Sequence, residues 1–223
     1  KGIKPLIQSL LGGKLSATAQ EHCATVLSGL APIGENAYQI KDVGGIAPLV
    51  ELLSTGNMEA KEQAAVTLAQ IARSAGAAND VAEAGGVKAL VEWLVDPALG
   101  PPGVAARALS DIALDNPDTQ SHVAEEGAIA PLVGMVNAWS TIIGRATIGT
   151  GTAGDACHRG SSEYVSSKVV AGLKLAVVSA GTLATLAKEN PLNQLAVAEE
   201  GGIAPLLALL QDSAQESWEN PAH

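Results

Sequence analysis

The side chains that could do chemistry are concentrated in one glycine-rich stretch. Residues 149–154, Gly-Thr-Gly-Thr-Ala-Gly, have the GxGxxG spacing of loops that hold a dinucleotide pyrophosphate. That chemistry needs a strand before the loop, a helix after it and an acidic residue about 20 residues further on. The surrounding sequence shows no such βαβ unit. We therefore predict that this stretch binds no cofactor.

Asp155, Cys157 and His158 follow directly and carry side chains that could bind a metal ion. A structural zinc site needs four ligands, and this cluster supplies at most three, two of which are adjacent. The histidines are scattered along the chain, at His22, His122, His158 and His223. None of them has a visible partner for a nucleophile–base pair. The sequence thus predicts no metal site, no catalytic residues and no enzyme.

The composition favours closely packed helices. Hydrophobic residues make up 47% of the chain, yet aromatic residues make up 2% and Phe is absent. Aromatic rings normally fill much of a core, so a core of Ala, Leu, Val and Ile indicates helices whose backbones approach closely. The net charge of −10 excludes nucleic acid as a partner, because its phosphates require a cationic surface. An acidic balance favours basic partners, although solubility explains it equally well.

Cysteine content and hydropathy bear on the compartment. Cys23 and Cys157 give no disulfide framework, which is compatible with a reducing compartment, and we expect an intracellular, cytoplasmic location. The sequence opens at Lys1 without a charged and then apolar leader, so no targeting peptide is expected. The most apolar stretch, 175–187, is shorter than a bilayer-spanning helix. We therefore predict no membrane insertion.

Three ladders of apolar residues give the chain a period of 41–43 residues. The residue after each Gly-Gly pair or its variant defines one ladder, with gaps of 43, 41, 42 and 74: Ile3, Ile46, Val87, Ile129 and Ile203. A second ladder has gaps of 41, 41 and 74: Leu27, Leu68, Leu109 and Leu183. The third has gaps of 41, 42 and 74: Ile40, Val81, Val123 and Val197. All three lengthen at one place, which indicates an insertion of 32 residues in the last period.

Each period predicts three helices. A short first helix, as in 36–43, ends at a glycine pair, because glycine adopts positive φ at low cost. A second helix begins with Pro in its first turn, where a missing N–H is tolerated. The third and longest helix has apolar residues at i, i+4, i+7 and i+8: Ala64, Leu68, Ile71 and Ala72 in one copy. Cys23 and Trp93 fall at core registers of this pattern, so both are expected to be buried.

The pattern resembles the armadillo repeat family, in GGIAPLVELL at 44–53, in AAVTLAQIA at 64–72 and in their copies. HEAT repeats are the nearest rival, but they pair two helices and lack the Gly-Gly punctuation. The resemblance covers nearly the whole chain and implies an all-α, right-handed α-solenoid of four to five repeats, each of three helices. We expect a single domain over 1–223, with repeat breaks near 34, 76, 117 and 191.

Both ends of the sequence fall inside a repeat. Residues 1–11 form a second helix, and 218–223 align with the opening of a third helix, so we expect a fragment of a longer armadillo-repeat protein. The insertion, 138–168, separates a second helix that ends near Asn137 from a third helix that runs from Glu163 toward Lys188. Between these helices, 139–162 are predicted to form a projecting loop, which we interpret as the individual recognition feature of the protein.

The resemblance also implies a binding groove. In the armadillo family the third helices line a concave groove, and peptide-binding members place an Asn on each third helix, often with a Trp one turn earlier. Here the Asn register holds Gly29, Gln70, Asp111 and Thr185. The Trp register holds Thr25, Val66, Arg107 and Gly181. These departures remove the support for importin-style capture of a basic nuclear-localisation peptide.

Two of the groove positions still suggest recognition. Gln70 offers a donor and an acceptor to a peptide backbone, and Arg107 with Asp111 could read charged side chains or form an ordinary surface pair. We predict a non-catalytic scaffold that binds a protein or an extended peptide in the groove and through the insertion. The alternative is a structural subunit embedded in a large assembly, with neighbouring subunits covering both open solenoid ends.

Overall fold

The computed structural model describes residues 2–11, 15–148 and 162–218, and within these ranges it contains helices and no strand. The helices follow one another in triplets. The first repeat contributes α1 (Ile3–Leu11) and α2 (Ala17–Leu30). The second and third repeats are complete: α3 (Gly34–Asp42), α4 (Ile46–Thr55), α5 (Met58–Ala75), α6 (Ala78–Glu83), α7 (Gly86–Val95) and α8 (Pro102–Ala113). The rest of the chain forms α9 (Pro117–Glu125), α10 (Ile129–Ile148), α11 (Ser162–Ala187), α12 (Pro191–Glu199) and α13 (Ile203–Trp218).

The helix ends are fixed by the residues that the sequence places there. The first helices of four repeats close on a glycine with φ between 73 and 86°: Gly44, Gly85, Gly127 and Gly201. Four helices start at a residue whose side chain accepts a hydrogen bond from the third backbone N–H that follows: Ser16, Asn57, Asn116 and Asn190. Such caps satisfy N–H groups that have no partner within the helix. Ser16 and Asn57 set one backbone geometry before the third helices α2 and α5, and Asn116 and Asn190 set another before the first helices α9 and α12.

The ladder residues form the core. Leu27, Leu68 and Leu109 of the third helices are fully buried, and Leu183 nearly so. Trp93 is also buried, against Gly100, where a Cβ would lie 2.1 Å from Cδ2 of the indole. Cys23 is half-buried, and burial raises the pKa of its thiol. Each repeat therefore covers its apolar face with the next one, as a solenoid requires.

The second helix of the fourth repeat is longer than predicted. Instead of ending near Asn137, α10 continues to Ile148, so 139–148 are helical and not part of a loop. The apolar spacing of Leu132, Val136 and Trp139 explains the extension, because all three are buried on one helix face. The third helix, α11, begins at Ser162, one residue before the predicted start. Residues 149–161, with the GxGxxG stretch and Asp155, Cys157 and His158, lie outside the described residues.

The C-terminal prediction was also wrong at one residue. Trp218 is the last residue of α13 and does not open a third helix, because the second helix of this repeat runs for 16 residues. Residues 219–223 lie outside the described part of the chain.

One helix is apolar enough to cross a membrane by length and composition. Its window, Val170–Ala187, has 18 residues and a mean hydropathy of 1.7, so the prediction that this stretch is too short was wrong. In the structure it belongs to α11, and 28% of the window is buried. Thr182 is buried there, and its hydroxyl donates to the carbonyl of Ala106 on α8 at 2.9 Å. This packing is that of a third helix of the repeat.

Candidate binding groove

The third helices α2, α5, α8 and α11 lie side by side and form one continuous surface. Polar contacts join each neighbouring pair. The Ser28 hydroxyl of α2 donates to Oε1 of Gln63 on α5 at 2.6 Å, and Ser110 Oγ of α8 lies 3.0 Å from Thr185 Oγ1 of α11. Between α5 and α8 the contact is ionic, from Arg73 to Asp111. The surface is therefore ordered by side chains as well as by the core beneath it.

A cleft of about 380 Å³ opens where α5, α8 and α11 meet. It brings together four of the eight residues predicted for the groove: Val66, Gln70, Arg107 and Asp111. The remaining lining residues are small or apolar: Ala69, Gly103, Val104, Ala108 and Val178. The cleft thus combines apolar walls with one group of charged side chains and one amide.

Asp111 is the centre of the charged group. Its Oδ1 accepts a hydrogen bond from Nη1 of Arg73 at 3.2 Å, across the α5–α8 boundary. Its Oδ2 lies 3.7 Å from Nε of Arg107, four residues earlier on the same helix. The Asp111 side chain is 18% exposed, whereas that of Arg107 is 74% exposed. Two guanidinium groups therefore share one carboxylate, and the more open of them faces solvent.

The other four predicted residues lie on the same helices but do not line the cleft. Thr185 is engaged with Ser110, and the hydroxyl of Thr25 donates to the carbonyl of Glu21 on its own helix. Gly29 and Gly181 are exposed on α2 and α11, and a Cβ at either position would meet nothing within 4 Å. These two glycines leave open space on the groove surface.

Arg73 is the functional candidate that sequence reasoning missed. It lies three residues after Gln70, so it shares the helix face of the predicted groove positions, and its side chain reaches Asp111 on the next repeat. Including the position three residues after each member of the Asn register in the predicted groove would have identified Arg73. Its contact with Asp111 depends on the distance between α5 and α8, which the register does not give.

Among the described residues, no group of three or more His, Cys, Asp or Glu side chains comes close enough to hold a metal ion. The pKa of Lys188 is raised by its hydrogen bond to Asp115 and by the negative charge of that carboxylate. That pair joins the ends of two third helices at the surface, with Nζ 2.7 Å from Oδ1.

Comparison with known proteins agrees with this architecture. The family described as Armadillo/beta-catenin-like repeat matches residues 35–73, which contain most of α3, all of α4 and most of α5. The same triplet recurs along the described chain. Residues 35–73 therefore match an armadillo repeat, and the described chain has the fold of an armadillo-repeat solenoid. Armadillo repeats are typically non-enzymatic scaffolds, and the predicted all-α solenoid of three-helix repeats is confirmed.

Solved structures similar to this chain include several engineered proteins. An engineered protein from the Northeast Structural Genomics Consortium is 25% identical over 94% of this chain and 72% of its own, with a TM-score of 0.70. Computationally designed armadillo repeat proteins for modular peptide recognition give 22% identity over 93% and 74%, with a TM-score of 0.68. A designed armadillo repeat protein in complex with the peptide (KR)4 gives 19% over 98% and 99%, with a TM-score of 0.58. A search of curated proteins gives no match.

Proposed function

We propose that this chain is a non-catalytic scaffold that binds an extended segment of a partner protein in the groove formed by α2, α5, α8 and α11. The observation that carries the proposal is the cleft between α5, α8 and α11, which opens on a continuous third-helix surface. A groove that crosses several repeats suits an extended chain, since each repeat can contact successive residues.

The side chains of the groove support backbone recognition. The amide of Gln70 lines the cleft and provides both a donor and an acceptor, which an extended peptide can pair with. Gly29 and Gly181 leave space for the peptide on either side. Two of the similar designed proteins are described as serving peptide recognition or as bound to a peptide, which is consistent with this use of the fold.

A peptide display experiment tests the groove. Octapeptides are selected from a random display library against the wild-type chain, and their dissociation constants are measured by fluorescence anisotropy. The variant Gly181→Trp fills the open space on α11, and we expect it to weaken binding at least tenfold. Gly134→Trp is the matched control, because Gly134 is an exposed glycine of α10 with equally open space, and it lines a different cleft from the one between α5, α8 and α11.

The outcomes separate clearly. Retained affinity in Gly134→Trp with loss in Gly181→Trp supports the groove. Equal affinity in both variants, or a library that yields no binder to the wild-type chain, contradicts the proposal. Circular dichroism of each variant verifies that the helices are intact.

We further propose that residues 149–161 contribute to partner choice. Deleting 139–162 would test this poorly, because the deletion would remove Trp139, which is buried in α10. Replacing only 149–161 with a short Gly-Ser linker spares both helices. We expect at least one partner to be weakened by this replacement, and full affinity for every partner would refute the role.

A structural subunit within a larger assembly is the second candidate. It is favoured by apolar residues exposed on the last described helices, including Leu192 of α12 and both Ile203 and Leu207 of α13. A subunit of this kind should self-associate or aggregate alone, whereas a scaffold should be a cooperatively folded monomer in size-exclusion chromatography with light scattering. For either function we propose an intracellular, cytoplasmic location.

A further inference from the structure

We infer that the cleft between α5, α8 and α11 accepts a carboxylate side chain of the bound peptide, with Arg107 as its main contact and Arg73 beside it. The inference rests on the proposed function and specifies its partner as a segment that carries Glu or Asp at this point. It departs from the expectation of a basic partner that the acidic composition suggests.

The local charges are the first argument. Arg73 and Arg107 both approach Asp111, so two positive groups are opposed by one negative group. Arg107 and Asp111 are the only charged residues among the nine that line the cleft, and Arg73, which lines a neighbouring cleft, reaches Asp111 from α5. The three side chains together carry one unit of positive charge, which a carboxylate at Arg107 would neutralise.

The geometry of Arg107 is the second argument. Its Nε lies 3.7 Å from Oδ2 of Asp111, near the upper limit for an ion pair, and within the described ranges Arg107 pairs with no other carboxylate. A guanidinium group has five N–H donors in a planar fork that matches a carboxylate. With its side chain 74% exposed, Arg107 has terminal nitrogens available for a two-point contact.

Asp111 has a positioning role in this arrangement. It holds Arg73 across the helix boundary and stays close to Arg107, so both guanidinium groups are gathered before a ligand arrives. Ordering a long side chain in advance lowers the entropic cost of binding. Asp111 is only 18% exposed, which leaves the peptide to meet mainly the arginines.

The walls of the cleft are the third argument. Val66, Val104 and Val178 surround the charged group, and Ala69 and Ala108 give a shallow, small-residue floor. A peptide lying over these residues would exclude water from the ion pair, which strengthens the electrostatic attraction. The small floor leaves room for a side chain to enter.

The net charge of −10 does not decide the preference. At physiological ionic strength, exposed charges are largely screened beyond about 8 Å. A carboxylate bound in the cleft would interact with Arg107 at contact distance and with most acidic surface residues only weakly. The net charge of the chain therefore predicts a preference for basic peptides, and the local charge at Arg107 predicts a preference for acidic ones.

Three labelled octapeptides of equal length provide the test: (Glu-Ala)4, (Gln-Ala)4 and (Lys-Ala)4. Their binding to the full chain is measured by fluorescence anisotropy at about 0.15 M salt. We expect the Glu peptide to bind about tenfold more tightly than the Gln peptide, as a charge-assisted contact of this type allows. The Lys peptide should bind no more tightly than the Gln peptide.

Variants assign the effect to the cleft. Arg107→Gln should remove the advantage of the Glu peptide, so that the ratio of the dissociation constants of the Gln and Glu peptides falls to about one. Lys88→Gln removes the same charge from an exposed position on α7, outside the third helices, and should preserve that advantage. A Glu preference that survives Arg107→Gln, or that disappears equally in Lys88→Gln, would overturn the assignment.

The remaining outcomes distinguish this inference from the proposed function. If the Gln and Lys peptides bind in the groove as tightly as the Glu peptide, the carboxylate preference is wrong and the groove stands. If none of the three peptides binds and display selection also yields no ligand, the proposed function fails and the inference fails with it. Because Arg107 is highly exposed, its substitution should not unfold the chain, which circular dichroism verifies.

Discussion

Two residues at the ends of third helices adopt a backbone conformation that favours glycine. Asp115 has φ of 53° and Glu189 has φ of 54°, and the corresponding end of α5 carries Gly76 with φ of 59°. A residue with a Cβ is less stable in this left-handed region than glycine is. The repeat therefore needs this conformation at each of these corners, whichever residue occupies the position.

Replacing Glu189 with glycine should stabilise the protein. Glu189→Gly relieves the left-handed strain and is expected to raise the free energy of unfolding by about 1 kcal/mol, as measured by urea denaturation. Asp115→Gly is the comparison, because it also removes the 2.7 Å contact with Lys188 and should gain less. A lower unfolding free energy for Glu189→Gly would show that its carboxylate matters more than its backbone.

At the level of single helices, side-chain caps mark the start of the third helices α2 and α5. Asn57 precedes α5, and its side-chain oxygen accepts from the N–H of Ala60 at 2.9 Å. Its Nδ2 donates to Glu21 of the preceding repeat, so this residue also links neighbouring helices. The helix start and the repeat spacing thus depend on one side chain.

Removing this cap should destabilise the chain. Asn57→Ala is expected to lower the free energy of unfolding by about 1 kcal/mol, the usual cost of a lost N-cap. Asn57→Ser retains a capping oxygen and should recover most of the loss in the same thermal or chemical denaturation. If the serine variant is as unstable as the alanine variant, the contact with Glu21 is the dominant contribution.

The helices were predictable where the apolar ladders are regular. Leu27, Leu68 and Leu109 recur at equal gaps and are all buried, because each occupies the same place in a repeated triplet. The end of α10 was missed because a Gly-, Ser- and Thr-rich composition was given more weight than the apolar residues of its first part. Trp139, at helical spacing from Val136, carried the signal that the helix continues.

The sequence predicted which residues lie on the groove surface, but it did not predict which of their side chains contact one another. Counting along the ladders placed Val66, Gln70, Arg107 and Asp111 on third helices, and the structure gathers these four in one cleft. The register could not show that Arg73 reaches Asp111, since that contact depends on how closely α5 and α8 approach each other. The packing of Gly100 on Trp93 was not predicted either, because it also depends on how closely two segments approach each other.

Across the whole molecule, burial of each ladder position depends on the helices that follow it. Ile203 is 57% exposed, whereas Ile3, Ile46, Val87 and Ile129 at the same register are 9% exposed or less. In the earlier complete repeats a third helix follows the second, and within the described residues none follows α13. The stability of such an array is approximately a sum over repeats and their interfaces.

This difference predicts position-dependent effects of one substitution. Ile203→Glu should change the melting temperature little and reduce any self-association detected by light scattering. Val87→Glu, at the same register but fully buried, should cost on the order of 3 kcal/mol or more, because an unpaired carboxylate is forced into the core. Comparable losses in the two variants would mean that the exposed face of α13 is covered in solution.

Each rung of the Asn register carries a different residue: Gly29, Gln70, Asp111 and Thr185. Third helices pack about 10 Å apart, which corresponds to about three residues of an extended peptide. A ligand shifted by one repeat would place its carboxylate opposite Gln70 or Thr185. On those helices the position equivalent to Arg107 holds Val66 or Gly181, and neither can pair with a carboxylate. A ligand with a single acidic residue should consequently bind in one register along the solenoid and dissociate with a single rate constant. In an array of identical repeats, the same ligand could exchange between equivalent binding positions.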